Sequence, residues 1–234
     1  MMLLSLSGCG STLPDADNRT RFVEALHALP DGEQAMRICE TLDEPVRSDC
    51  VVAAVEASPL HPAAADWCAT IVGVPRYECR FQLAERRHDL HGCDEAGPFT
   101  DDCKLHIFSA SLDDIWPNDA TFTDGAARVR AHLATAGLPT TDLRYWSAAF
   151  RHGLLRRRPF DRSVCAAMQD PTLIEACRHT GIAVYHNLLN HERDFGRFRC
   201  DGGALPPTLA YHDDPELDAI ITERRATDLC KPGR

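Results

Sequence analysis

The segment "WCATIVGVPRYECRFQLAERR", residues 67–87, contains two cysteines eleven positions apart with a single proline between them. Such a pair fits half of a metal site, a redox couple, or a disulfide that joins two helices. The same arrangement of cysteine, proline and cysteine occurs in residues 39–50, 68–79, 93–103 and 165–177. An internal repeat of this kind decides the architecture, because each copy is one structural unit.

The spacing within the repeat indicates a helix, a short turn and a second helix. Four to six residues separate the first cysteine from the proline, and three to five separate the proline from the second cysteine. Proline is favoured in the first turn of a helix, where its missing N–H costs nothing. In "QDPTLIEAC" we expect Asp170 to cap the helix and Pro171 to take its first position. Helix-forming segments precede the first cysteine in every unit except the short third one.

The cysteine content favours disulfides over metal or redox chemistry. The chain has 11 cysteines but no C-x-x-C motif, which argues against zinc ribbons, thioredoxin-type redox sites and c-type haem attachment. Widely spaced cysteines in this number are typical of an oxidising compartment. We therefore predict five disulfides: Cys39–Cys50, Cys68–Cys79, Cys93–Cys103, Cys165–Cys177 and Cys200–Cys230. Cys9 is the one cysteine left over.

The N-terminal sequence Leu6-Ser7-Gly8-Cys9 resembles the lipobox of bacterial lipoproteins, in which the cysteine carries a diacylglycerol after cleavage. A short apolar run precedes it and a polar tether follows. The resemblance implies that Cys9 is lipidated and that the protein is anchored in the bacterial cell envelope, in the outer membrane or facing the periplasm. No Lys or Arg precedes the apolar run. This departure predicts a translation start upstream of Met1; a truncated signal peptide without lipidation is the alternative.

These patterns predict an all-α protein, a short solenoid or bundle of about five αα-hairpins. Four hairpins would be stapled by internal disulfides, and residues 123–155 would form a fifth that has no cysteines. An irregular C-terminal tail would be clamped by Cys200–Cys230. The expected organisation is a signal segment (1–9), a tether (10–20), N-terminal hairpins (21–112), a hinge (113–125), and C-terminal hairpins with a capping tail (126–234). The architecture is similar to that of TPR and Sel1-like helical repeat proteins, although neither consensus is met.

Charge and motifs narrow the function without naming a reaction. The net charge of −10 argues against nucleic-acid binding. Common hydrolase, zincin, P-loop and dinucleotide motifs are absent from the sequence, which leaves enzymatic activity open and predicts no cofactor. His88 and His91, near Asp94 and Glu95, are weak candidates for a metal site. The basic run Arg156, Arg157 and Arg158 is a weak candidate for partner binding, although a solvated helix end also explains it.

The sequence therefore predicts an envelope-anchored lipoprotein that acts as a non-enzymatic helical-repeat interaction or scaffold module. Its expected partners are the membrane, through the lipid, and another envelope protein or peptide. The alternative is a periplasmic metal-binding or metal-dependent protein that uses histidine clusters. His179, His186 and His191 belong to that alternative, although a solvated helix face also explains their spacing. Trp67, Tyr145, Trp146 and Phe150 have helical spacing, and we expect them in the core.

Overall fold

The computed structural model describes residues 16–157, 159–198 and 205–229. Over these ranges the protein is all-α, with eleven α-helices and several 3₁₀ turns, as the sequence predicts. None of these helices combines the length and apolar character needed to cross a bilayer. The chain divides into two compact units, Met1–Ile107 and Phe108–Arg234. The segment 113–125, predicted as a hinge, lies within the second unit.

The first unit consists of short helices that pack on helices one or two places further along the chain. Helix α1 packs on α2 and α3, and α3 packs on α5. Two 3₁₀ turns, Gly92–Glu95 and Gly97–Phe99, follow α5 and lead into α6. The helices are α1 Ala16–Ala28, α2 Gly32–Cys39, α3 Val46–Ala57, α4 Ala64–Ala69, α5 Val74–Arg87 and most of α6 Thr100–Ala110, which extends past the last residue of the unit, Ile107.

Four disulfides join neighbouring elements, and each lies within one predicted unit. Four of the five predicted pairings are confirmed: Cys39–Cys50, Cys68–Cys79, Cys93–Cys103 and Cys165–Cys177. Their Cα atoms are 5.5–5.7 Å apart, a usual separation for disulfides. All eight cysteines are buried, so the staples are part of the hydrophobic core. Cys9, Cys200 and Cys230 lie outside the described residues.

The proline of each unit marks the start of the second helix to within two residues. Pro45 directly precedes α3, Pro75 is the second residue of α5, and Pro171 is the first residue of α10. The predicted cap of α10 is confirmed, because the Asp170 carboxylate accepts a hydrogen bond of 2.9 Å from the Thr172 N–H. A fixed proline φ and a side-chain cap together define where this helix begins.

The second unit contains longer helices and one disulfide. It includes α7 Leu112–Ile115, α8 Phe122–Thr135, α9 Leu143–Leu155, α10 Pro171–Asp194 and α11 Pro215–Arg224. Cys165 lies in a 3₁₀ turn, Ser163–Ala167, and the helix expected before this cysteine is not formed. A reason is visible in the short connection after α9, where the Asp161 carboxylate bonds to the Ser163 N–H and hydroxyl. This local bonding favours a turn over an α-helix.

Residues 123–155 form the predicted hairpin without cysteines. Gly137, at φ +68°, ends α8, and the Leu138 N–H donates to the Leu133 carbonyl at 2.8 Å. This bonding pattern is a common helix C-cap that requires a left-handed residue. The Trp146 indole N–H donates to the Thr140 carbonyl at 2.8 Å and ties the connecting turn to α9. A hydrogen bond from a buried tryptophan thus fixes the turn that no disulfide spans.

Trp116 fixes the segment that the sequence predicts as a hinge. Its side chain is 3% exposed and contacts Phe122 with ring centroids 5.0 Å apart. A β-carbon on Gly125 would overlap the Trp116 indole, and a β-carbon on Gly153 would come within 2.6 Å of it. The glycines of α8 and α9 therefore make the space that this indole fills.

Polar contacts hold the described part of the C-terminal tail. Arg162, 9% exposed, donates two hydrogen bonds of 2.7 Å to the Asp214 carboxylate, which also caps α11. The Arg162 guanidinium lowers the pKa of Asp214, and the hydrogen bonds that Arg162 donates to Asp214 raise the pKa of Arg162. The Tyr185 hydroxyl donates to the Leu209 carbonyl at 2.8 Å. These contacts position α11 beside α10 within the described tail.

Removal of one disulfide tests how much a cross-link within one unit contributes to the free energy of unfolding. In C68A/C79A, the free energy of unfolding should fall by at least about 3 kcal/mol, because a cross-link across about a dozen residues restricts the unfolded chain. Urea unfolding followed by circular dichroism measures this loss. C165A/C177A should lose a similar amount, since its loop has nearly the same length. A loss below about 1 kcal/mol in both variants would contradict the proposed constraint.

The G125A variant tests the fit of Trp116. Helix propensity alone predicts that alanine at position 125 stabilises α8 by about 1 kcal/mol. The structure predicts the opposite sign, a loss of about 1–3 kcal/mol, because the new methyl group overlaps the Trp116 indole. Thermal or urea unfolding distinguishes the two signs. A127G is the matched control on the exposed side of α8 and should lose about 1 kcal/mol. A more stable G125A protein would show that Trp116 does not fill this space.

Candidate functional site

The predicted arginine run contacts the segment around Trp116. Arg156 donates to the Trp116 carbonyl at 2.6 Å and forms an ion pair with Asp113. The Arg157 guanidinium lies 5.5 Å from the centroid of the Phe122 ring. Arg158 lies outside the described residues. Arg156 and Arg157 thus stabilise the fold, a role that the sequence does not reveal.

Arg156 and Arg157 also line a cavity of about 290 Å³. Its wall is completed by side chains from three segments: Trp116, Asn118, Pro159, Asp161 and His212. The Arg156 charge is neutralised by Asp113, and the Asp161 carboxylate bonds to Ser163. The charged groups at this cavity therefore have internal partners, which reduces the attraction that it can offer to a charged ligand.

His152, next to the cavity-lining residue Gly153, is a titratable group whose pKa is shifted by its surroundings. Its Nε2 atom is 3.2 Å from the Trp116 carbonyl oxygen, and its side chain is 15% exposed. Burial lowers the pKa of His152, the hydrogen bond to Trp116 opposes that shift, and the positive charge of Arg156 adds to it. The folded protein therefore favours neutral His152, which donates to the same carbonyl as Arg156.

The predicted metal candidates, His88 and His91, do not form a metal-binding cluster with Asp94 and Glu95. His88 ends α5 in a left-handed conformation, and both His88 and His91 are exposed. Lys104 pairs with Asp94 at 2.6 Å and lowers the pKa of that carboxyl. Arg80 pairs with Glu95 at 2.9 Å. Among the described residues, no group of three or more His, Cys, Asp or Glu side chains could hold a metal ion.

The histidines of α10 have different surroundings. His179 is exposed and pairs with Glu175, one turn away. His186 lies 3.2 Å from the Arg224 guanidinium of α11, and Asn190 accepts a bond of 2.7 Å from the same group. The face predicted to be solvated is therefore partly covered by α11. His191 lies beside the buried Glu192 at 3.4 Å. The predicted core aromatics, by contrast, are buried as expected: Trp67, Tyr145, Trp146 and Phe150.

A groove that the sequence does not reveal surrounds Arg130. Two cavities, of about 490 Å³ and 200 Å³, share Arg130 and Gln169 as lining residues. Their walls come from α8, from the turn before α9 and from the start of α10. The Arg130 guanidinium lies 5.8 Å from the centroid of the buried Trp146 ring. We name this feature the Arg130 groove. The three segments are distant in sequence, so spacing could not predict it.

The depressed pKa of His152 predicts a pH dependence of stability. The unfolded chain binds a proton near pH 6.5, whereas folded His152 binds one only at lower pH. Its contribution to the unfolding free energy is therefore complete above about pH 6.5 and is lost as the pH falls, by at most about 1.4 kcal/mol per pH unit.

Urea unfolding between pH 5 and 7 measures this effect. Tryptophan emission in a W67F background reports on the second unit. H152Q, whose amide can still donate to the Trp116 carbonyl, should have a flatter pH dependence than the parent. H179Q is the matched control on an exposed histidine and should leave the slope unchanged. Equal slopes in H152Q and the parent would contradict the assignment.

Comparison of the chain with protein-family models, with curated proteins and with solved structures found no match in any of the three. The residues and contacts described above therefore carry the functional argument.

Proposed function

We propose that this protein is an envelope-anchored lipoprotein that acts as a non-enzymatic interaction module. A diacylglycerol on Cys9 holds it at the membrane, and its helical hairpins bind another envelope protein or peptide. Four disulfides are typical of an oxidising compartment outside the cytoplasm. That location agrees with the resemblance of Leu6-Ser7-Gly8-Cys9 to a lipobox.

The observation that carries this proposal is that every described disulfide joins two elements within one predicted unit. A local cross-link fixes the angle between two neighbouring elements and leaves their outer faces available. Helical hairpins of this kind present surfaces on which proteins and peptides bind. Rigid surfaces lose little conformational entropy on binding, which favours a recognition role.

Exposed apolar side chains support the proposal. Leu60, Val72 and Val74 of the first unit are largely exposed, as are Leu143 and Phe195 of the second. Each side chain exposed alone is ordinary for a protein surface. Leu143, however, lines the Arg130 groove, so that an apolar contact and a positive charge occur in one depression. That combination is typical of binding sites.

Two measurements in the host bacterium test the anchor and the partner. Growth with an alkyne fatty acid should label the wild-type protein and leave C9A unlabelled. A photo-crosslinking amino acid at position 143 should give one discrete adduct, because Leu143 is exposed beside the groove. Position 179 serves as the control site, since His179 is exposed on α10 and does not line the groove.

Unchanged labelling of C9A would contradict the lipid anchor. Absence of a discrete adduct from position 143, or identical adducts from positions 143 and 179, would contradict a specific partner at this surface. The two outcomes are independent, because anchoring depends on Cys9 and binding depends on the hairpins.

A further inference from the structure

Arg130 carries a positive charge that the described residues do not neutralise. It is exposed on α8 and stacks on the Trp146 ring, a cation–π contact that orients the guanidinium. No carboxylate in the described parts of the chain lies within ion-pair distance of it. Arg156 and Arg162, in contrast, both have carboxylate partners. Arg130 is therefore an oriented cation that is available to a ligand.

Two carboxylates at or beside the walls of the larger cavity already have hydrogen-bond partners. Asp142 caps α9 and pairs with Arg144 at 2.7 Å, and hydrogen bonds from Arg144 lower the pKa of this carboxyl. Asp170 lines the groove and accepts the Thr172 N–H as the cap of α10. Both carboxylates accept hydrogen bonds at the start of a helix that forms a wall of the groove. Their acceptor atoms are therefore occupied without a contact to Arg130.

The charge on α8 has the opposite sign to that of the whole chain. Helix α8 carries Arg128, Arg130 and His132 but a single carboxylate, Asp124, in its first turn. The complete protein has a net charge of −10. An anionic group is therefore attracted to this surface more than to the average surface of the molecule.

The other side chains that line the groove offer the hydrogen-bonding groups and the apolar contact that a peptide can use. The hydroxyls of Thr140, Thr141 and Thr172 and the Gln169 amide can donate and accept hydrogen bonds, as peptide N–H and C=O groups require. Leu143, 40% exposed, offers an apolar contact at the same cavity. A cavity of about 490 Å³ is in the range of small-ligand sites. The groove can therefore accommodate a short peptide segment, and binding of that segment does not require a large interface.

We infer that the Arg130 groove binds a peptide segment through a carboxylate, which pairs with the Arg130 guanidinium in a charge-assisted, two-bond geometry. The carboxylate comes from the C-terminus of the peptide or from an Asp or Glu side chain. This inference rests on the proposed function, because it names the partner class of the interaction module. The hairpin without cysteines is thus the recognition unit of the protein.

Titration of the full oxidised protein with three peptides tests the inference. The probes are acetyl-Ala-Leu-Ala-Leu with a free carboxylate, the same peptide as a C-terminal amide, and acetyl-Ala-Leu-Glu-Leu amide. The Trp146 indole N–H resonance, assigned with W146F, reports binding beside Arg130. At least one carboxylate peptide should bind at least about tenfold more tightly than the neutral amide. The peptide that does so identifies the source of the carboxylate.

Two arginine variants locate the binding. R130Q should weaken the preferred peptide at least about tenfold, whereas R128Q, on the same helix but not lining the groove, should change its affinity less than about twofold. R130K keeps the charge without the planar two-bond geometry and should be intermediate. The inference is overturned by equal binding of the neutral and carboxylate peptides, by unchanged binding in R130Q, or by no binding of any peptide at about millimolar concentration.

Failure of this inference is distinguishable from failure of the proposed function. An adduct from position 143 that persists in R130Q, together with no peptide binding, would refute the carboxylate site and leave the interaction module standing. If the protein with an intact Arg130 gives no adduct from position 143 and binds no peptide, the carboxylate site and the interaction module are both refuted.

Discussion

A buried disulfide between two consecutive elements is the constraint on which the first unit depends. Its helices are short, from 6 to 14 residues, and isolated helices of this length are marginal in water. Three of the four described disulfides lie here, and their sulfur atoms fill the core beside small aliphatic side chains. A cross-link of this kind lowers the entropy of the unfolded chain, so helices that could not persist alone become a stable hairpin.

The second unit uses larger side chains where the first uses sulfur. Its core contains a connected set of aromatic rings, with Trp116, Phe122, Trp146 and Phe150 in contact at centroid distances of 5.0–6.1 Å. Aromatic side chains bury much area, and such pairs add stability beyond that area. The Trp146 hydrogen bond to Thr140 fixes the connecting turn of the hairpin that has no cysteines. Without a disulfide across the turn, this hairpin carries an open polar groove.

The sequence predicts the repeat well because the repeat depends on local chemistry. Cysteine spacing, proline position and the Asp170 cap act over a dozen residues, and the structure confirms four pairings and the helices that follow them. The prediction of a helix before Cys165 was wrong, because Ser163 donates hydrogen bonds to the Asp161 carboxylate, and these favour a turn. The periodicity of apolar residues does not show where a side chain bonds to the backbone and so competes with a helix.

The surroundings of the charged residues could not be predicted in the same way. The partners of Arg156 lie about 40 residues away, and the Arg130 groove is assembled from three separate segments. The basic run was a weak candidate for partner binding, and the structure pairs Arg156 with Asp113 and places Arg157 over the Phe122 ring. Arg130, which belongs to no run or motif, has no ion-pair partner among the described residues. Tertiary contacts, rather than composition, decide which charges can serve recognition.

Peptide mapping of the unreduced protein, with mass spectrometry after proteolysis, tests whether each cross-link closes within one unit. We expect cross-linked peptides that join Cys39 to Cys50, Cys68 to Cys79, Cys93 to Cys103 and Cys165 to Cys177, with no free thiol at these positions. Cys200 and Cys230, outside the described residues, should appear joined to each other. Cross-links between different hairpins, or free thiols at the eight stapled positions, would contradict a fold that is built from locally closed units.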